Sequence, residues 1–198
     1  MPSWRCGLLY ILSQIGRLEE ARAQLDLVAA RRFIDLPRNA FWLVAVVGAA
    51  DACATLEDLP RAQLLNGLLA PYEDRVVEAS AGAACLGSVR HPLGRLAATR
   101  QRWSEAERHF EAAIDCNQRL GAPHLTAHVR RDFGTVLLAR GDARSVERAR
   151  DLLGAAAAAY RQLDMDHFAV QTAALLERAR QTRRPGAQKA AGRIRLVR

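Results

Sequence analysis

Apolar and polar residues recur with a helical period through most of the chain, and the pattern itself repeats. The plainest unit runs from Leu93 to Ala113. Leu93-Gly94 and Ala97 come first, a turn falls around Arg102, and Glu105-Ala106, Phe110 and Ala113 follow. Two antiparallel helices need this arrangement: small residues let the backbones approach, and large ones fill the space beside them. Gly94 and Ala106 are the approach points; Leu93 and Phe110 are the fillers.

Three further stretches follow the same grammar. In the first, Gly16 marks a turn, and Glu20-Ala21, Leu25 and Val28 come after it. In the second, Ala49-Ala50 and Cys53 precede the turn, and Arg61-Ala62 and Leu69 follow; Asn66 stands where a large apolar residue belongs. In the fourth, Phe133-Gly134 and Leu137 lead to Gly141-Asp142, then to Arg148-Ala149, Leu153 and Ala156. The alanines Ala21, Ala62, Ala106 and Ala149 are 41, 44 and 43 residues apart. The standard tetratricopeptide period is about 34, so these units are extended. A last amphipathic helix is predicted over about Asp166–Gln181, capped by Asp166, with Phe168, Val170, Ala174 and Leu175 among its apolar residues.

Boundary signals agree. Leu36-Pro37 precedes a helix predicted over Asn39–Leu56, Pro71 ends one over Arg61–Ala70, and Gly121-Ala122-Pro123 separates the third unit from the fourth. The small, glycine-containing stretch Ala79–Ala84 reads as a loop or the loose start of a helix. The expectation is an all-α fold: a right-handed TPR-like solenoid (α-α superhelix) of five to nine helices in antiparallel pairs, with extended repeats, over residues 1–182. Its core centres on Leu25, Leu69, Leu93, Phe110, Phe133 and Leu153. The start at Met1, inside the first pair, suggests missing upstream repeats or self-association through an uncapped end.

Composition sharpens this picture. The chain is 50% apolar but only 6% aromatic, and it is rich in alanine, which suits closely packed helices better than sheets. The net charge of +8 is unevenly spread. Seven of the 29 basic residues lie between Arg180 and Arg198 with no acid among them, which leaves the body 22 basic residues against 21 acidic ones. Residues 183–198 form a basic tail expected to be disordered. Its Arg183, Arg184, Lys189, Arg193, Arg195 and Arg198 could hold phosphate backbones, so a nucleic-acid-associated accessory role is the alternative reading. Cys6, Cys53, Cys85 and Cys116 form no CxxC pair and read as buried free thiols of a reducing compartment, each in a helical stretch among small or apolar neighbours. The apolar run Phe41–Ala50 is too short to span a bilayer, so no membrane partner is expected and the cytoplasm is the default location.

The motifs together resemble the C-terminal tetratricopeptide-like region of large bacterial signalling proteins. These are AAA/STAND-type ATPases of LuxR-family transcriptional regulators, and relatives linked to nucleotide-cyclase domains. The resemblance rests on Leu36-Pro37 with Trp42-Leu43, Ala52-Cys53-Ala54, Leu69-Ala70-Pro71-Tyr72, and Ala84-Cys85-Leu86-Gly87. It continues through Leu96-Ala97-Ala98, Glu105-Ala106, His109-Phe110-Glu111-Ala112-Ala113 and Leu137-Leu138-Ala139-Arg140-Gly141. It covers most of residues 8–180, and only the regulatory repeat portion is implied. The sequence lacks a phosphate loop ending in Gly-Lys-Ser/Thr, and too little chain follows Gln181 for a helix-turn-helix domain. A truncated form or a free-standing adaptor fits.

In such a solenoid the first helix of each pair lines the binding face. Carried over, this places Asp51, Ser88, His91, Arg95, His128, Arg131 and Thr135 toward a groove. Two arginines and two histidines on one surface suggest an acidic peptide or an anionic effector. His124 and His128 have a metal-ligand spacing but no third ligand, and both read as surface histidines, as does His109. Trp4, Trp42 and Trp103 are expected at helix ends or unit junctions, with Ser104 capping a helix that begins at Glu105. No nucleophile elbow, carboxylate pair or cofactor motif is present, so the sequence suggests no enzyme and no cofactor.

Overall fold

A computed structural model describes residues 3–79 and 84–181. Among them the chain forms nine α-helices and one two-stranded hairpin. Four helix pairs come first: α1 (Trp4–Gln14) with α2 (Leu18–Ala29), α3 (Trp42–Thr55) with α4 (Leu59–Leu69), α5 (Arg90–Thr99) with α6 (Trp103–Arg119), and α7 (Pro123–Arg140) with α8 (Ala143–Gln162). Helix α9 (Asp166–Gln181) closes the series. Each predicted tryptophan stands at the first position of a helix.

Each short helix-to-helix turn contains one residue in the left-handed region: Gly16, Glu57, Gln101, Gly121, Gly141 or Asp164. That conformation reverses the chain and frees the next N–H to reach back. Arg17, Asp58, Arg102, Ala122 and Met165 each donate to the carbonyl five residues earlier, satisfying helix-end acceptors. Starts are fixed by side chains in two places. Asp58 accepts from the Arg61 N–H at 3.0 Å, and Asp142 accepts from the Ser145 N–H at 2.9 Å. Helix α6 begins at Trp103, so Ser104 lies inside its first turn and caps nothing.

The first helices of successive pairs also touch each other: α1 packs on α3, α3 on α5, and α5 on α7. Ala21, Ala62, Ala106 and Ala149 are all fully buried, as is the predicted core of Leu25, Leu69, Leu93, Phe110, Phe133 and Leu153. Gly94 is needed for contact: a Cβ there would sit 3.0 Å from the Phe110 ring. A Cβ on Gly134 would come within 2.7 Å of Leu153 Cγ. The Phe110 and Phe133 rings stack at 5.1 Å, tying α6 to α7.

The structure also differs from the sequence reading at the hairpin, at His109 and on α9. The stretch expected as a loop or helix start around Ala79–Ala84 is flanked by strands: β1 (Val76–Ala79) pairs antiparallel with β2 (Ala84–Ser88). Residues 80–83 between them lie outside the described residues. Cys85 therefore stands exposed on β2, not in a helix. His109 is buried, with the Glu73 carboxylate 4.0 Å from its Nδ1. On α9 the buried positions are Ala169, Thr172 and Ala179, while Val170 is 71% exposed and Ala174 is also exposed. The outer side of the first pair leaves Ile11, Ile15 and Leu18 exposed. Among the described residues no helix is long and apolar enough to cross a membrane.

Candidate ligand-binding cavity

The first helices α1, α3, α5 and α7, together with Leu86 of the hairpin and Phe168 of α9, enclose a cavity of about 620 Å³. Its walls are mostly apolar, with Trp4, Tyr10, Phe41, Val44, Val47, Leu125 and Phe168 supplying much of the surface. Its charged groups come from three adjacent helices: Asp51 on α3, His91 and Arg95 on α5, and Arg131 and Asp132 on α7.

These charges form one row of alternating sign. Arg95 Nη1 donates to Asp51 Oδ1 at 2.9 Å, and its Nη2 donates to Thr55 Oγ1 at 2.9 Å. Arg95 Nε stands 3.6 Å from Asp132 Oδ2. His91 Nε2 meets the same Asp132 oxygen at 3.0 Å. Arg131 Nε and Nη2 both donate to Asp132 Oδ1, at 3.1 and 3.0 Å. The four charged side chains of the row are only 15–19% exposed. Burial alone would raise the Asp132 carboxyl, but Arg95, the His91 hydrogen bond and Arg131 outweigh it and hold the group well below the usual carboxylate range.

Beside this row, His128 Nδ1 shares a 2.7 Å hydrogen bond with the Tyr160 hydroxyl, and its ring lies edge-on to Phe168 at 4.9 Å. Burial, reinforced by Arg131, pushes the imidazole down to about 4, so it is neutral at neutral pH. The Arg131 guanidinium lies over the Phe168 ring at 5.4 Å. The Tyr10 phenol lies within reach of the same charges; burial first, then Asp51, raises its proton affinity.

Five of the seven predicted groove residues come together here: Asp51, His91, Arg95, His128 and Arg131. Two do not. Thr135 lines a second hollow of about 500 Å³ on the far side of Arg95 and Asp132, next to Thr99 and Trp103, and its hydroxyl donates to its own helix at Arg131 O. Ser88 is buried at the end of β2, where its N–H donates to Asn117 Oδ1 at 3.1 Å and its Oγ accepts from the Arg90 N–H. It joins the hairpin to α5 and α6 instead of facing the groove. The two arginines also differ from expectation, because Asp51 and Asp132 already engage both. His124 is exposed, while His128 is turned into the aromatic cluster and is not a surface histidine. The predicted tail residues Arg183, Arg184, Lys189, Arg193, Arg195 and Arg198 lie outside the described residues.

Asp132, Tyr10 and Phe168 were not singled out from sequence. A signal for Asp132 did exist. His91 and Asp132 are 41 residues apart, and Asp51 and Arg95 are 44 apart, each close to one repeat period. Opposite charges at the repeat spacing on first helices land side by side. The chain matches no protein-family model, no curated protein and no solved structure.

Proposed function

We propose that this chain is a non-catalytic, TPR-like interaction or effector-sensing module, the regulatory repeat portion of a bacterial transcriptional or signalling protein that works in the cytoplasm. Four helix pairs with buried alanines at a 41–44-residue spacing support an extended TPR-like solenoid. One observation carries the functional part: the first helices of all four pairs converge on a single, largely apolar cavity with a few convergent polar groups. Its volume falls in the range of small-ligand sites, roughly 300–1,000 Å³. The charged groups at the cavity are engaged with one another, an arrangement suited to positioning a ligand. The set holds no nucleophile with an activating base.

Gly7 offers the test. It lies on α1 at the cavity, and a Cβ there would meet nothing within 4 Å. The Cβ of a leucine therefore has room, its branched end adds bulk at the cavity, and leucine favours the helix. In a thermal-shift screen of small molecules and short peptides, ligands that raise the melting temperature of the native chain should lose that effect on Gly7→Leu. A ligand held at 100 times its Kd stabilises by about 2.7 kcal/mol, a readily measured shift. Ligands that stabilise both forms equally would place binding elsewhere and sink the proposal.

A further inference from the structure

We infer that the cavity takes an uncharged, largely apolar molecule carrying a hydrogen-bond acceptor such as an amide, ester or ketone carbonyl, and not the anion that its arginines suggest. The inference deepens the ligand-site reading and rests on it.

Charge balance comes first. Two carboxylates, Asp51 and Asp132, face two guanidiniums, Arg95 and Arg131, and all four are largely withdrawn from water. Arg95 directs Nη1 to Asp51, Nη2 to Thr55 and Nε toward Asp132. Arg131 directs Nε and Nη2 to Asp132. No surplus charge remains to attract a ligand ion. A carboxylate entering the cavity would bring a new charge into a balanced, poorly solvated row. Its strongest partner would be Arg131, which already gives Nε and Nη2 to Asp132, so the ligand carboxylate would share that guanidinium with a buried acid of like charge, and two carboxylates crowded at one poorly solvated site disfavour each other's charge. A ligand cation meets the mirror problem at Asp51 and Arg95. His128 adds no charge, since its ring is neutral at neutral pH.

A neutral acceptor needs only a donor, and α1 supplies one. Tyr10 lines the cavity and sits in the field of all four charges, and no hydrogen bond of its hydroxyl is found among the described residues. The walls also carry aromatic and aliphatic side chains: Trp4, Phe41, Leu86 and Phe168. An apolar body against those walls, with a carbonyl accepting from Tyr10, satisfies the site without disturbing the ion pairs.

Three probes with one ring and different heads test this: naphthamide, naphthoate and naphthylmethylammonium, titrated calorimetrically into the whole chain at neutral pH. Naphthamide should bind, with both ions at least tenfold weaker. Tyr10→Phe, which keeps the ring, should weaken naphthamide several-fold while leaving naphthalene itself unchanged. Gly7→Leu should weaken naphthamide at least tenfold. Naphthoate binding as tightly as naphthamide, and lost in Gly7→Leu, would overturn the neutral-ligand inference while leaving the cavity as the binding site. Naphthamide binding untouched by Gly7→Leu, or no binding by any probe, would overturn both.

Discussion

In α7/α8, Gly134 lets Leu153 approach so closely that a Cβ on the glycine would lie 2.7 Å from Leu153 Cγ. The matching places in α3/α4 hold Ala50 and Asn66, and the amide oxygen of Asn66 is buried without a hydrogen-bond partner. Both pairs nonetheless bury the small residue of the second helix, Ala62 and Ala149. That small residue permits the two rods to approach. The residue four positions later decides how firmly they hold, because it supplies or withholds apolar contact.

Truncating that later position should separate the pairs most widely. Leu153→Ala should lower stability by about 2–5 kcal/mol, whereas Asn66→Ala should change it by less than about 0.5 kcal/mol or raise it, since a buried unsatisfied oxygen is removed. Urea unfolding midpoints of the two variants provide the measurement. Equal losses would mean that the two pairs are packed alike.

The pairs differ again on the side facing the cavity, where α3 presents Asp51 and α7 presents His128 and Asp132. His128 titrates at about 4 in the folded chain, against an ordinary value of 6.5. Between those values the unfolded chain binds a proton that the folded chain does not. Its contribution is therefore complete above about pH 6.5 and is lost as the pH falls toward about 4, roughly 3 kcal/mol in all. Asp132, held low, adds a loss in the same direction at more acid pH. His128→Gln should flatten the first segment of the stability profile and keep the second. A profile unchanged from pH 6.5 to 4 in that variant would show that the imidazole titrates normally.

A smaller loss than that of Leu153→Ala comes from the glycine itself. Gly134→Ala forces Leu153 to shift and should cost about 1–3 kcal/mol by overpacking. Pairing it with Leu153→Ala tests the cause: in the double variant most of the cost of the glycine substitution should disappear, leaving only the 3.3 Å approach to the Ala149 carbonyl oxygen. Additive losses in that cycle would mean the strain lies elsewhere.

The helix pairs were legible because they depend on residue size at a fixed spacing, which a sequence displays directly. The alanines and the large fillers beside them fall where that spacing puts them. The hairpin was hidden because Val76–Ala79 and Ala84–Ser88 are too short, and too rich in small residues, to display an alternating pattern. It holds Ser88 at a strand end against Asn117, where the repeat pattern alone assigns that residue to the groove. At the cavity, arginine and histidine stood out as types, while Asp132 did not, being one acid among 21 charged-residue partners of its kind. Only its distance from His91, one repeat back, marked it. A charge becomes legible here when it is compared with positions one unit away.

The alternating charges that join α3, α5 and α7 also bear on how the molecule comes apart. An array of units linked only to nearest neighbours can fray from either terminus, one unit at a time. Here Arg95 binds forward and backward at once, so α5 cannot leave without stranding acids on both flanking units. The three central helices are therefore expected to melt as one cooperative block, with α9, which packs mainly on α8, the segment expected to peel away first.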